Sequence, residues 1–142
     1  MKKKILISSG GSGGHVIPAT IFYEHLKNKF DVFFTVDKRG AKFLNLEKYK
    51  VTVIDTPKLT NNLFLLPLNF FGFFSSIIKS LIFFKKNKID ILISTGGYMS
   101  LPFCIIAKIL NIKIYLFEPN MVLGRANNFF AKYCRKIFCY SN

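Results

Sequence analysis

Short apolar runs alternate along the chain with longer segments in which apolar residues recur three or four positions apart. The short runs predict six strands, at residues 3–8, 31–36, 51–55, 89–94, 112–117 and 136–140. The longer segments predict helices at about residues 15–28, 39–48, 69–86, 99–110 and 124–134. Because strands that alternate with helices build a covered parallel sheet, the pattern predicts one Rossmann-like, doubly wound α/β domain over residues 1–142.

The segment from Leu63 to Lys88 is the most apolar part of the chain. Pro67, Asn69 and several serines and lysines interrupt it, which argues against a membrane span and favours a helix that begins near Asn69. Apolar side chains at helical spacing predict that one face of this helix packs into the domain core. The predicted core face consists of Phe70, Phe73, Phe74, Ile77, Ile78, Leu81 and Ile82.

Other side chains of the same segment fall outside the predicted core face. Aromatic residues beside lysines are suited to docking on an anionic membrane surface, and the alternative is an enlarged core. The predicted docking residues are Phe71, Lys79, Phe83, Phe84, Lys85 and Lys86, and residues 63–66 lie off the core face as well. We expect reversible, peripheral attachment rather than insertion.

Basic residues outnumber acidic residues by 21 to 7, which gives a formal net charge of +14. Such an excess implies an anionic partner: a phosphorylated substrate, a lipid surface or nucleic acid. The lysines are scattered along the chain, and no RNA-binding signature or recognition helix accompanies them. We therefore do not expect nucleic acid as the partner.

The three cysteines, Cys104, Cys134 and Cys139, have no CxxC spacing and no histidine near them. The pattern predicts neither a disulfide framework nor a zinc site, and we expect no metal and no cofactor. The thiols are expected to be reduced and mostly buried. The apolar run after the amino-terminal lysines is too short for an export signal.

Four glycines lie between the first predicted strand and the first predicted helix: Gly10, Gly11, Gly13 and Gly14. Glycine lets the backbone turn sharply and brings bare N–H groups close to a ligand, and a helix start adds partial positive charge. The spacing is not the dinucleotide GxGxxG, because Val16 occupies the place of its last glycine, and it lacks the lysine of a P-loop. The turn, with Ser12 in it, predicts a phosphate or diphosphate site.

His15 directly follows the glycine turn. It either caps or packs under the turn, or it is a base that removes a proton from a sugar hydroxyl, since imidazole accepts a proton near neutral pH. Its place beside a predicted phosphate site favours the base, whereas His25 is expected to be structural. Asp37, at the end of the second predicted strand, stands where dinucleotide folds place a ribose-binding acid, which keeps dinucleotide binding open.

A second glycine turn follows the strand predicted at residues 89–94. Gly96 and Gly97 predict an anion site that faces the first one. Tyr98, next to them, either presents its hydroxyl or ring to a ligand or packs on the turn, and both interpretations remain open.

A third loop follows the strand predicted at residues 112–117. Glu118 and Asn120 stand just past the strand end, where side chains of this fold point toward the ligand crevice. Arg125 and Asn127, further along, either line the crevice or satisfy loop backbone.

Three motifs therefore occur in a fixed order after the first, fourth and fifth predicted strands: GGSGGH, GGYMS, and EPN followed by GRAN. Together they resemble the amino-terminal domain of the MurG family, and the resemblance covers the whole chain. It implies the amino-terminal half of a GT-B fold, in which two Rossmann-like domains face a cleft. The implied activity is inverting transfer of N-acetylglucosamine from UDP-GlcNAc to the muramoyl 4-hydroxyl of lipid I, which forms lipid II in peptidoglycan synthesis.

The same resemblance assigns roles to the three loops. His15 is implied as the general base, and the undecaprenyl-diphosphate-linked acceptor is implied to bind at Gly11, Ser12, Gly13, Gly14, Gly96, Gly97, Tyr98, Glu118, Asn120 and Asn127. The family's membrane patch implies a peripheral location on the anionic cytoplasmic face of the bacterial inner membrane. UDP-GlcNAc would be bound by a donor domain, missing or separate, that we do not expect within the 142 residues.

The third motif departs from the family pattern, because Phe117 and Pro119 stand where the family has histidine and glutamine. Polar contacts at these two positions are therefore not expected. Two alternatives to a MurG-like transferase remain: the acceptor subunit of another split lipid-linked glycosyltransferase, and a non-catalytic module that binds a diphosphate or a dinucleotide.

Overall fold

The computed structural model describes residues 2–57 and 66–139, with side chains of the second range from Asn69 onward. The described residues contain a sheet of six parallel strands, which are β1 Lys4–Ser8, β2 Asp31–Val36, β3 Val51–Val53, β4 Ile91–Ser94, β5 Lys113–Glu118 and β6 Lys136–Cys139. Their order is β3-β2-β1-β4-β5-β6, so the winding reverses between β1 and β4. The predicted doubly wound parallel fold is confirmed.

Helices connect these strands on both faces of the sheet. They are α1 Gly13–Leu26, α2 Lys38–Ala41, α3 Leu66–Asn87, α4 Ser100–Ile109 and α5 Arg125–Phe130, which continues as a short 3-10 turn, Ala131–Tyr133. Because strand side chains alternate between the faces, Ile7 and Phe34 pack under α1, whereas Leu6 and Leu92 pack under α3, α4 and α5. Burial on both faces explains why these strands read as continuous apolar runs.

Several element boundaries differ from the prediction, and α2 differs most. It ends at Ala41, although the pattern predicts a helix to residue 48. The Asn45 carboxamide oxygen accepts the backbone N–H groups of Glu47 and Lys48, at 3.1 and 3.3 Å. Such local bonds compete with helical ones, which explains the early end. Residues 63–65, off the predicted core face, and residue 140, in the last predicted strand, lie outside the described residues.

The predicted core face of α3 is wrong for four of its seven members, because Phe70, Phe74, Ile78 and Ile82 are 45–69% exposed. The buried positions include Ser76 and Ser80 instead. Their hydroxyls donate to the carbonyl oxygens of Gly72 and Ser76, at 2.9 and 2.8 Å. These bonds satisfy both hydroxyls inside the protein, so the small polar side of α3 packs against the domain.

The docking prediction is wrong for Phe84, which is 2% exposed, because it follows Ser80 by one helical turn on the buried face. Phe83 is half-buried, and its ring meets those of Phe33 and Phe103 edge-on. The exposed side of α3 carries an apolar set that we call the α3 stripe, formed by Phe70, Phe71, Phe74, Ile78 and Ile82. The predicted docking lysines, Lys79, Lys85 and Lys86, are exposed beside it. No helix in the described ranges is both long and apolar enough to span a bilayer.

Candidate functional site

The two glycine turns meet at the carboxyl ends of β1 and β4, where the winding reverses. A Cβ on Gly97 would lie 2.6 Å from the carbonyl oxygen of Gly10, so the two backbones touch at a distance that only glycine permits. Gly11, Gly96 and Gly97 have φ of 87°, 94° and 86°, in the left-handed region that favours glycine. The predicted facing turns are therefore present, at the crevice where this fold binds ligands.

His15 lies in the first turn of α1 and leans over the second glycine turn. Its Nδ1 is 2.7 Å from the carbonyl oxygen of Thr95. A carbonyl oxygen can only accept, so Nδ1 carries the proton of the neutral ring and Nε2 keeps a lone pair. A Cβ on Gly96 would lie 3.1 Å from the ring, so glycine at this position makes room for the imidazole.

A cavity of about 520 Å³ opens between the second glycine turn, α5 and the loop after β5. It collects side chains from all three predicted loops. Its walls are His15, Gly96, Gly97, Tyr98, Leu101, Glu118, Asn120, Gly124, Arg125, Ala126, Asn127 and Phe129. The other predicted residues of the first turn are not among these walls.

Glu118 organises the loop after β5. Its side chain is 1% exposed, and its two oxygens accept four hydrogen bonds: from Asn120 N and Nδ2 at 3.1 and 2.8 Å, Gly124 N at 2.8 Å and Asn127 Nδ2 at 3.0 Å. Burial alone would raise the pKa of Glu118, but these bonds, led by Gly124, hold it below its ordinary value. The carboxylate is therefore ionised, and its two oxygens hold the loop after β5 and the start of α5 at the cavity wall.

Asn127 is 2% exposed and lines the same cavity. Its Nδ2 donates to the Phe117 carbonyl oxygen and to Glu118, both at 3.0 Å, which fixes the orientation of the amide. Its Oδ1 is buried and accepts no hydrogen bond from the described residues. A buried acceptor without a partner at a cavity wall is suited to a donor on a ligand, either a hydroxyl or an amide N–H.

Asp37 is not free to bind a ribose. It is 3% exposed, and its Oδ1 accepts the N–H groups of Gly11 and Gly40, at 2.9 and 2.8 Å. Its Oδ2 accepts from Arg39 Nε and Nη2, at 3.0 and 2.8 Å. The acid that kept dinucleotide binding open therefore ties the glycine turn to α2.

The other predicted residues fall into three groups. Gly13 and Gly14 begin α1, where no preceding turn supplies carbonyl partners for their N–H groups, and Ser12 is exposed just before them. Tyr98 and Asn120 line the cavity. His25 is exposed, its Nδ1 contacts the carbonyl oxygen of Ile21 at 2.8 Å, and it is not among the cavity walls.

The cysteines lie apart from the cavity walls. Cys104 is buried, which raises the pKa of its thiol to about 12, whereas Cys134 is partly buried and Cys139 is exposed. The expectation of mostly buried thiols therefore fails for Cys139. Within residues 2–57 and 66–139, no group of three or more His, Cys, Asp or Glu side chains could hold a metal ion.

Two features of the cavity escape sequence reasoning. The Thr95 carbonyl oxygen that fixes the His15 tautomer is a backbone atom, and residue types carry no signal for it. Phe129, which is 61% exposed, lies at the cavity wall, but it stands within a helix and next to neither a glycine turn nor a strand end, the two signals that identified the other site residues.

Comparison with known proteins assigns this arrangement to a family. The amino-terminal domain of glycosyltransferase family 28 matches residues 5–139. The chain belongs to glycosyltransferase family 28. Its match to that family's amino-terminal domain confirms the resemblance drawn from the three loops.

Two individual relatives show how close the likeness is. The chain is 63% identical over all 142 residues to the UDP-N-acetylglucosamine–N-acetylmuramyl-(pentapeptide) pyrophosphoryl-undecaprenol N-acetylglucosamine transferase of Pelagibacter ubique, and covers 40% of that protein. The transferase of the same name from Rickettsia typhi is 36% identical over 137 residues, which are 95% of this chain and 34% of that protein. The chain thus spans about two fifths or less of these relatives' length.

A solved structure gives the same answer for the fold. MurG of Acinetobacter baumannii superposes with a TM-score of 0.83 at 22% identity, over 99% of this chain and 42% of that protein. The family 28 chain therefore has the amino-terminal, Rossmann-like half of a GT-B transferase, as the motifs predict.

Proposed function

We propose that this family 28 domain binds a lipid-linked acceptor and supplies the base for transfer of N-acetylglucosamine from UDP-GlcNAc to the muramoyl 4-hydroxyl of lipid I. The names of the Pelagibacter and Rickettsia relatives support the substrates. The observation that carries the proposal is the bond from His15 Nδ1 to the Thr95 carbonyl oxygen, which leaves Nε2 able to accept a proton beside the cavity.

In the proposed reaction, Nε2 of His15 takes the proton of the 4-hydroxyl as that oxygen forms a bond to the anomeric carbon of the donor. The bond from that carbon to the UDP phosphate breaks, and UDP leaves with the electron pair. A single displacement of this kind inverts the anomeric centre. The Thr95 carbonyl oxygen stabilises the imidazolium that forms, because it already accepts from Nδ1.

The acceptor diphosphate would bind at the start of α1. The N–H groups of Gly13 and Gly14 and the positive end of the helix dipole favour an anion there. The Gly96–Gly97 turn touches the first turn and brings its backbone to the same place. Within the cavity, the free Oδ1 of Asn127 would accept a hydroxyl or amide proton of the muramoyl group.

A second domain, on the same or a separate polypeptide, would bind UDP-GlcNAc. The proposal can therefore be tested by supplying the donor part of the Pelagibacter relative, fused to this chain or mixed with it. His15→Ala is expected to lower turnover by about 10²–10⁴-fold with little change in acceptor affinity, because the base acts only in the transition state.

His25→Ala is the matched control, since His25 lies on the same helix and also contacts a backbone carbonyl oxygen through Nδ1. It should retain full turnover. If His15→Ala turns over as fast as the parent, or if its whole loss lies in acceptor affinity, the role of His15 as base is wrong.

We also propose that the α3 stripe docks on the anionic cytoplasmic face of the inner membrane. Five exposed apolar side chains along one side of a long helix, with Lys79, Lys85 and Lys86 beside them, have the composition of an interfacial helix. Each lysine contributes about 1 kcal/mol near an anionic surface. Attachment of this strength is reversible and peripheral.

Vesicle flotation tests the membrane proposal. Phe71→Ser should reduce binding to vesicles that contain anionic lipid by about tenfold, because it removes a Phe side chain from the contact. Phe43→Ser is the matched control, since Phe43 is 54% exposed and its ring lies next to Gly13 rather than in α3. Equal losses for the two variants, or equal binding to anionic and zwitterionic vesicles, would contradict docking through α3.

A further inference from the structure

Arg39 is held in place beside the glycine turn by a buried acid. Both Nε and Nη2 of its guanidinium donate to Asp37 Oδ2, and Asp37 is itself anchored by the N–H groups of Gly11 and Gly40. An arginine bound through two nitrogens to an immobile carboxylate has lost most of its conformational freedom before any ligand arrives.

The same contacts change which donors the turn can offer. Because the Gly11 N–H donates to Asp37, it is not available to an anion. A Cβ on Gly11 would lie 3.9 Å from Arg39 Nη2, so the guanidinium stands directly against this part of the turn. Of its five N–H groups, two are directed at Asp37 and three remain, on a side chain that is 51% exposed.

The neighbouring cation shows what an ordinary surface pair looks like in the same helix. Lys38 is 81% exposed and pairs with Asp55, which is itself 44% exposed, at 2.8 Å. Within the described residues, the side-chain bonds of that pair involve no buried residue and do not reach the glycine turn, whereas Arg39 bonds to the buried Asp37 and lies against Gly11. The Arg39 guanidinium is fixed, half-exposed and next to a glycine turn of the kind that binds phosphate. This is the geometry of an anion-binding residue.

We propose that Arg39 pairs with a phosphate of the diphosphate that binds at the glycine turn, an inference that rests on the proposed function. Arg39 supplies the donors at the β2 side of the turn, where the Gly11 N–H is already used, and the start of α1 supplies those on the other side. The diphosphate belongs to the acceptor lipid or to UDP, and both present the same chemistry to a guanidinium.

Calorimetric titration of the 142-residue chain with three soluble probes separates these sources: a short-chain prenyl diphosphate, the matching prenyl monophosphate, and UDP. Arg39→Gln should weaken prenyl diphosphate binding by about ten- to a hundredfold, the loss typical of a charge-assisted hydrogen bond. Arg39→Lys should recover only part of it, because lysine cannot form the fork. If Arg39→Gln loses affinity for UDP alone, the pairing of Arg39 with a phosphate is supported, and that phosphate belongs to the donor.

Lys38→Gln is the matched control, because it removes one positive charge and one ion pair from the same four-residue helix. It should change the affinity less than threefold, and thermal unfolding of each variant verifies that it folds. If the parent and Arg39→Gln bind prenyl diphosphate with the same affinity, and also bind UDP with the same affinity, the proposed role of Arg39 is wrong. The proposed function is not affected by that result. If the parent binds neither prenyl diphosphate nor UDP, the proposed acceptor site is wrong, and so is the proposed role of Arg39.

Discussion

Glu118 and Asp37 are both almost fully buried carboxylates at the carboxyl ends of strands, at the edge of the sheet where ligands bind in this fold. Glu118 accepts four hydrogen bonds, all from neutral donors within residues 120–127 of its own loop. Asp37 reaches from β2 to the turn after β1, and half of its contacts are with the cation Arg39. The two carboxylates differ in how far water can replace their contacts. Asn127, one partner of Glu118, is buried, and Asn120 and Gly124 are exposed, whereas the charged partner of Asp37, Arg39, is half-exposed and can turn into water.

Glu118→Gln should cause the largest loss of stability. The glutamine oxygen can replace one carboxylate oxygen, but its NH2 group would face either the N–H groups of Asn120 or those of Gly124 and Asn127, and the displaced donors would lose their acceptor. The glutamine NH2 group, buried as the carboxylate is, would face donors instead of an acceptor, which costs about 1–3 kcal/mol, and the bonds that remain lose their charge assistance. We therefore expect a loss of about 3 kcal/mol in the free energy of unfolding. Urea unfolding followed by circular dichroism measures it.

The acid dependence of Glu118 gives a second, smaller effect. Its folded-state pKa lies below its ordinary value of 4.5, so its bonds contribute full stability above that value and lose the contribution as the pH falls toward the folded-state pKa. The free energy of unfolding should therefore drop more steeply below about pH 4.5 in the parent than in Glu118→Gln. Parallel acid profiles would show that Glu118 is not the group that titrates.

The comparison also shows what the sequence could and could not predict. All six strands and their parallel arrangement follow from the apolar runs, because buried strands of a parallel sheet carry that pattern. The three loops of the site follow from strand ends and glycines. The roles of Asp37 and Glu118 do not, since a carboxylate at the ligand edge reads the same in a sequence whether its oxygens face a ligand or a loop backbone.

The buried face of α3 was predicted wrongly for a related reason. Periodicity counts serine as polar and assigns it to the solvent side, but Ser76 and Ser80 bond to carbonyl oxygens of their own helix and can be buried. With small residues facing the domain, Phe70 and Phe74 turn outward. Apolar spacing therefore predicted a helix correctly and its buried face wrongly, because which face is buried depends on what the rest of the domain presents to it.

Asp37→Asn should destabilise the domain less than Glu118→Gln. Its Oδ1 can still accept the N–H groups of Gly11 and Gly40, and only the contact with Arg39 is lost. Because water can solvate the released guanidinium, the expected cost is about 1 kcal/mol in the free energy of unfolding. If Asp37→Asn lowers the free energy of unfolding more than Glu118→Gln does, the charge of the Asp37–Arg39 pair contributes more to stability than the hydrogen bonds that Glu118 accepts.

Glu24→Gln should have the smallest effect, although hydrogen bonds from Lys27 and then Lys48 lower the pKa of Glu24 to about 2. A third of the Glu24 side chain is exposed, and both lysines reach into solvent, so water replaces each contact when the charge is removed. We expect a urea midpoint within error of the parent. A shift as large as that of Asp37→Asn would mean that surface ion pairs contribute as much to the stability of the domain as buried carboxylates do. In the expected case, a low pKa reports how well a charge is matched, whereas stability depends on whether its partners can find water after it is gone.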